Sequence, residues 1–203
     1  MSHIRKTIKI LEKQSRKEKT KKYNIGPDDR MLAITYETGQ FMRSMLVATK
    51  AKDALELGTS TGFSTLWIAD ALLANHKNPY ILTIEKNPRK ITRARLNFRK
   101  AKVSKFIKIK HGAILDVLGK IPKNQKFDFI FMDADKENVK KYADLALAHL
   151  RVGGIMMTDN MLYPTKYRQM MKEYSRYLRT KTGIQTYTLS IGYGEEITVK
   201  RAA

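Results

Sequence analysis

Residues 54–72, "ALELGTSTGFSTLWIADAL", run from a short apolar segment through a glycine turn into an apolar segment of helical length. The stretch predicts a strand, a turn holding Glu56, Gly58 and Gly62, and a helix. Glycines suit such a turn because the backbone must bend tightly and can lie against a ligand, while the helix start presents unpaired N–H groups.

Outward from this unit the pattern repeats. "DALEL" (53–57), "YILTIE" (80–85), "FIKIK" (106–110), "FDFIFMD" (127–133) and "GGIMMTD" (153–159) are short and apolar, and segments of helical period lie between them. In the intervening segments Ile91, Ala94, Phe98 and Ala101 recur every three or four residues, as do Tyr142, Leu145 and His149. Strict alternation predicts an α/β fold: a Rossmann-like, doubly wound, mostly parallel sheet with right-handed crossovers. After a helix at about 164–181, "GIQTYTLS" and "EEITVK" predict an antiparallel edge hairpin, for seven strands in all. Residues 1–50 differ. Ile4, Ile8 and Leu11 form one stripe on a basic helix, "NIGPDD" breaks it, and "MLAITYETGQFMRSMLVATKA" reads as helical again. Residues 1–50 are therefore expected to be a helical cap on a core formed by residues 51–203, within one globular domain.

At 203 residues the chain can bury about 70% of its unfolded surface without staples. With no cysteine, disulfides, thiolate metal sites and a cysteine nucleophile are excluded. No apolar run is long enough to span a membrane, and the N-terminus lacks a signal peptide's apolar core, so a soluble cytoplasmic protein is expected. The formal net charge is +21. Residues 1–23 contribute +7 and residues 86–110, with eleven cations and no acid, contribute +11. These two segments are candidate contacts for RNA or an acidic carrier, against the plainer reading of solvated helix faces.

The glycine turn lacks the Gly-Lys-Ser/Thr of a P-loop and the third glycine of a dinucleotide site. A nucleoside cofactor without pyrophosphate remains, of which S-adenosylmethionine is the common one. Gly-x3-Gly alone fits a plain tight turn equally well. Glu85, ending the second strand 23 residues after Gly62, supplies an acid for ribose hydroxyls and favours the cofactor reading. "FIFMDADK" leaves Asp133, Asp135 and Lys136 at one strand end, and "IMMTDN" leaves Asp159 and Asn160 at the next. Oxygen donors without thiolate or imidazole suit a hard divalent cation such as Mg²⁺. Turn and cap roles are the alternative for each cluster taken singly.

With these motifs in place, the chain resembles the cation-dependent O-methyltransferases of the catechol and caffeoyl-CoA type. The resemblance covers about residues 25–201 through "ETGQFM", "LELGTSTGFS", "LTIEKNP", "HGA", "FDFIFMDADKENVKKY", "GGIMMTDN" and "IGYGEEITVKR". It implies S-adenosylmethionine as cofactor, with Asp133, Asp159 and Asn160 as metal ligands and Lys136 as general base. It further implies that Glu56, Gly58, Thr59 and Ser64 hold the methionine part, Glu85 the ribose, and Ala113 and Ile114 the adenine, with Ile34 and Asp135 close by. The expected acceptor is the hydroxyl of a small catechol- or phenol-like molecule. The alternatives are a tRNA-modifying enzyme acting on a hydroxylated uridine, which some bacterial members are, and a non-catalytic protein with a vestigial site. The resemblance also allows a homodimer. Three positions depart from the family: Val139 replaces a usual tyrosine, Tyr193 an acid, and Ser60 a frequent aromatic.

Overall fold

The computed structural model describes residues 2–20, 25–26 and 29–202, so the break expected at "NIGPDD" lies partly outside the described residues. In chain order the elements are α1 (His3–Lys19), α2 (Tyr36–Ala48), β1 (Asp53–Leu57), α3 (Phe63–Asn75), β2 (Tyr80–Glu85), α4 (Pro88–Lys100) and β3 (Ile107–His111). They continue as α5 (Ile114–Leu118), β4 (Phe127–Met132), α6 (Val139–His149), β5 (Leu150–Asp159), α7 (Arg168–Arg179), β6 (Ile184–Leu189) and β7 (Glu195–Lys200). One seven-stranded sheet has the order β3-β2-β1-β4-β5-β7-β6. The first five strands pair in parallel, and β7 runs antiparallel to both β5 and β6. The winding reverses between β1 and β4. That reversal opens a crevice at the carboxyl ends of the two strands, where doubly wound sheets bind ligands.

The central strands are covered on both faces, which is why they read as continuous apolar runs. Ala54 to Leu57, Ile81 to Ile84 and Phe129 to Met132 are all buried. α3 is buried from Phe63 through Leu72, so apolar residues surround it. α4 buries only Ile91, Ala94 and Phe98, and presents cations outward. Asn87 caps α4 by accepting from the N–H groups of Arg89 and Lys90, with Pro88 at the first position.

The helical cap packs into the layer of α3 and α4. Ile4, Ile8 and Leu11 of α1 and Met42 and Leu46 of α2 join the core cluster of Phe63, Leu66 and Phe98. Asp70 of α3, nearly buried, accepts from Arg43 Nε at 2.6 Å and Arg5 Nε at 3.4 Å, fastening both helices. On the other side of the sheet, α5, α6 and α7 cover Leu55, Ile130 and Met156.

Three boundaries differ from the sequence reading. Residues 31–35 are not helical: Met31 N–H donates to Glu18 Oε2 at 2.8 Å, Ser60 Oγ donates to Met31 O at 2.6 Å, and Thr35 caps α2. Contacts to two other elements thus hold this segment in an irregular path, with Leu32 at φ +46. β5 starts at Leu150, because Leu150 pairs with Phe127 ahead of an irregularity that resumes at Phe129 and Ile155. α7 starts at Arg168, after Pro164 and a short 3-10 turn at Thr165–Tyr167. Among the described residues no helix is long and apolar enough to cross a membrane.

Candidate active site

The glycine turn is shaped first by packing. Gly58 has φ +104, and a Cβ there would collide with the Asp133 carbonyl oxygen; one on Gly62, φ +84, would collide with the Phe98 ring. These glycines let the end of β1 lie against the end of β4 and let α3 lie against α4. Their spacing alone is therefore explained without a ligand.

Beneath the turn lies a buried polar knot. Glu56 is fully buried, and its carboxylate accepts from Ser64 Oγ at 2.6 Å, Thr65 Oγ1 at 2.5 Å and Thr83 Oγ1 at 2.6 Å. Burial pushes its pKa up to about 7 against those three hydroxyl donors. The Thr59 hydroxyl meets that of Thr83 at 2.5 Å. Glu85 faces the turn from the end of β2, with Oε2 accepting from Ser60 N–H at 2.8 Å and Oε1 from the N–H groups of Lys86 and Asn87. Three bonds leave part of its acceptor capacity open. Gly112 N–H donates to Glu85 O at 3.0 Å, which brings Ala113 and Ile114, at the start of α5, to the same edge. Ile34 is buried in the irregular segment whose Met31 is bonded to the turn.

The second half of the site follows β4 and β5. Asp133 N–H donates to Leu57 O at 3.0 Å, holding Asp133 beside Gly58. Lys136 is 5% exposed, and its Nζ donates to Asp133 Oδ1 at 3.4 Å and to Asp159 O at 3.3 Å. Asp159 is 1% exposed; Oδ1 accepts from Asn160 N–H at 2.6 Å, while Oδ2 is buried away from any N–H or hydroxyl donor and has the Glu195 carboxyl as its neighbour. Its strand partner is Glu195 of β7, fully buried, which accepts from Thr38 Oγ1 at 2.8 Å. Burial raises both carboxyl pKa values, as do Asp133 acting on Asp159 and Asp159 acting on Glu195, with Glu195 raised further. Two adjacent buried carboxyls settle by sharing a proton, which resides on Glu195.

Asp133 and Asp159, which Lys136 Nζ joins, and the adjacent Asn160 would offer a cation oxygen donors only, with one ammonium beside them. That chemistry fits a hard divalent cation. The set is two carboxylates and an amide; among the described residues no group of three or more His, Cys, Asp or Glu could hold a metal.

A sequence model of the family described as O-methyltransferase matches residues 4–197. The chain belongs to the O-methyltransferase family. The chain is 32% identical over 133 residues to a catechol O-methyltransferase of Niastella koreensis, covering 64% of this chain and 59% of that one. It is 30% identical over 183 residues to a caffeoyl-CoA O-methyltransferase of Medicago sativa, covering 81% and 73%. It therefore spans under two thirds of the length of the catechol relative it matches. The fold is shared with an O-methyltransferase from Bacillus cereus in complex with SAH, at TM-score 0.78 and 23% identity over 97% of this chain and 91% of that one.

Against that family, the departures from its pattern sort themselves. Val139 is 3% exposed in the core at the start of α6, so it is a packing residue. Asp135, which matches the family and was expected near the cofactor, lies between α6 and Lys86: Tyr142 OH donates to it at 2.5 Å and Asn138 donates through its N–H and side-chain amide, so its pKa is lowered although burial acts the other way. Ser60 carries the bond to Met31. Tyr193 stacks on Tyr163 with ring centres 4.9 Å apart, and Lys19 Nζ lies 5.0 Å from its ring centre. Sequence reasoning missed the roles of Glu195, Thr38 and Tyr163. The signal for Glu195 was a carboxylate opening a strand otherwise made for burial; Thr38 and Tyr163 join the site only through tertiary contacts.

Proposed function

We infer that this O-methyltransferase family member is an S-adenosylmethionine-dependent, divalent-cation-dependent enzyme that methylates a hydroxyl of a small catechol- or phenol-like acceptor in a reducing cytoplasm. The observation that carries this reading is the meeting, at one sheet edge, of the Glu56–Glu85 turn with Asp133, Lys136 and the buried Asp159. SAH and SAM complexes among proteins of the same fold support the cofactor, and the names of the two relatives support the acceptor class.

Asp133, Asp159 and Asn160 would hold the cation, whose contribution when bound is Lewis acidity that lowers the pKa of an acceptor hydroxyl. The cofactor, when bound, would supply an electrophilic methyl group on sulfur for transfer to the acceptor oxygen, whose proton would have to leave. Lys136 is the group placed to receive or hold that proton, because its Nζ sits between Asp133 and Asp159 and is shielded from solvent. As an ammonium it is held by both acceptors, so it takes up a proton only after giving up its own. Ser64 commits its proton to Glu56 and keeps lone pairs for an ammonium such as that of a methionine moiety. Glu85 offers its remaining acceptor capacity to ribose hydroxyls, and Ala113 and Ile114 offer the surface beside the base. Burial of Lys136 and Asp159 keeps water from both.

Methyl-labelled cofactor incubated with a panel of catechols and phenols, with Mg²⁺ or a chelator, tests the reading. Label should enter a catechol only with the cation. No transfer to any member of the panel with Mg²⁺ overturns the acceptor class, label in bulk RNA instead favours the hydroxylated-uridine alternative, and transfer unchanged by chelator overturns the metal.

A further inference from the structure

The two segments that carry the charge are far apart in sequence and adjacent in the fold. α1 packs beside α4, where Glu18 lies 3.7 Å from Arg93, and α4 lies along β2 and the edge strand β3. Described residues of α1 and its cap hold seven cations and two acids, and both acids are engaged: Glu12 pairs with Arg16 at 2.7 Å, and Glu18 accepts from Met31 N–H. On α4 and the turn after it, Arg95, Arg99, Lys102 and Lys105 are exposed, and none of the ion pairs among the described residues involves them. Both helices carry these cations on the same side of the sheet, whereas Lys108 and Lys110 of β3 alternate with Ile107 and Ile109 and point to its other side.

Two plainer accounts fall short. A lysine-rich composition would spread its charge, yet residues outside 1–23 and 86–110 carry only +3 of the +21. Guarding a sheet edge against pairing explains Lys108 and Lys110 but not the helical cations. Nor does the chain guard its edges as a rule, since the opposite edge strand, "IQTYTL" in β6, has no charge at all.

We propose that the face formed by α1 and α4, with the turn that follows α4, docks RNA through its phosphate backbone, independently of what the active site methylates. An array of exposed cations is what a polyphosphate chain requires. A lipid surface requires inserted apolar side chains as well, and the large exposed hydrophobics of these helices are only Ile10 on α1 and Leu96 on α4. Base reading needs stacking rings; Phe98 is 2% exposed, and Phe106 is half-buried with Lys105 Nζ 4.9 Å from its ring centre. The contact is therefore to phosphates, without sequence preference.

The test is fluorescence anisotropy of the full chain with a labelled 20-nucleotide oligouridylate across a salt series. Log affinity should fall linearly with log salt, by about 0.7 per phosphate contact. The variant Arg95→Gln, Arg99→Gln, Lys102→Gln, Lys105→Gln should weaken binding at least about tenfold at low salt and flatten the slope by roughly 2 to 3. A matched variant on the opposite face, Lys141→Gln, Lys172→Gln, Arg176→Gln, Arg179→Gln, should bind within about threefold of wild type, because its exposed side chains lie across the sheet. In the unmodified protein the oligonucleotide should protect Lys100, Lys102 and Lys105 from acetylation, a readout independent of any variant's folding. Equal weakening by the two variants, no binding at about 50 mM salt, no protection, or a preference for phosphatidylserine vesicles over the oligonucleotide overturns the proposal.

Discussion

At Asp159 the demands of folding and of chemistry meet in one side chain. The sheet buries it against Glu195, and the two carboxyls share one proton away from water. A fold built for stability alone would not keep such a pair, since burying two adjacent carboxyl groups is costly. Asp159→Ala should abolish cation-dependent methyl transfer while leaving the affinity for S-adenosylhomocysteine within about threefold, measured by calorimetry. Loss of that affinity would mean that Asp159 serves the cofactor. Glu56 permits a second prediction. Its pKa rises from 4.5 in the unfolded chain to about 7 in the fold through burial. A raised pKa means the folded state favours the protonated acid, so this stabilisation is complete below about pH 4.5 and is lost as pH rises through about 7. The loss is on the order of 3 kcal/mol. Urea unfolding of wild type and Glu56→Gln between pH 4 and 8 should show the wild type losing stability relative to the variant as pH rises. Parallel curves would mean that Glu56 titrates normally in the fold.

At the level of elements, the strand–turn–helix unit was legible because its glycines answer local needs that recur wherever β1 and β4 end side by side. Gly58→Ala places a Cβ on the Asp133 carbonyl at φ +104, where only backbone can yield, so it should cost more than about 3 kcal/mol and lower yield of folded protein. Gly26→Ala, with open space around it, should change the unfolding midpoint by less than about 0.5 kcal/mol. Comparable losses in both would show that backbone freedom, not the close approach, fixes Gly58. β1 and β2 were read to the residue because both faces are buried and their apolar runs have sharp ends. The start of β5 was missed because Leu150 pairs with Phe127 across an irregularity that no local pattern announces. Residues 31–35 read as helix for a similar reason: Glu18 and Ser60, distant in sequence, hold them out of helical conformation. In the site, Asp133, Lys136 and Asp159 were legible as polar residues terminating apolar strands. Glu195 was not, because its place beside Asp159 depends on the antiparallel register of β7.

For the molecule as a whole, a charge of +21 on 203 residues sets self-repulsion against a compact fold. The repulsion is concentrated where α1 and α4 lie side by side, joined by the Glu18–Arg93 ion pair. That pair is partly exposed, and pairs of this kind contribute at most about 1 kcal/mol. Added salt weakens attraction and repulsion together, so the direction of the response reports which dominates. With cations outnumbering acids 40 to 19, repulsion should dominate. Raising NaCl from about 20 to about 300 mM shortens the screening length from roughly 20 Å to under 10 Å, below the spacing between neighbouring helices' outer faces. Thermal unfolding should then shift upward by about 2–4 °C, the equivalent of roughly 1 kcal/mol for a chain of this size. The Arg95, Arg99, Lys102, Lys105 glutamine variant should begin from the higher midpoint and respond less to salt, because part of its repulsion is already gone. A midpoint that falls with salt in the wild type would show that the ion pairs of Asp70, Glu18 and Asp128 outweigh the surrounding cations, and that the basic face is electrostatically satisfied as it stands.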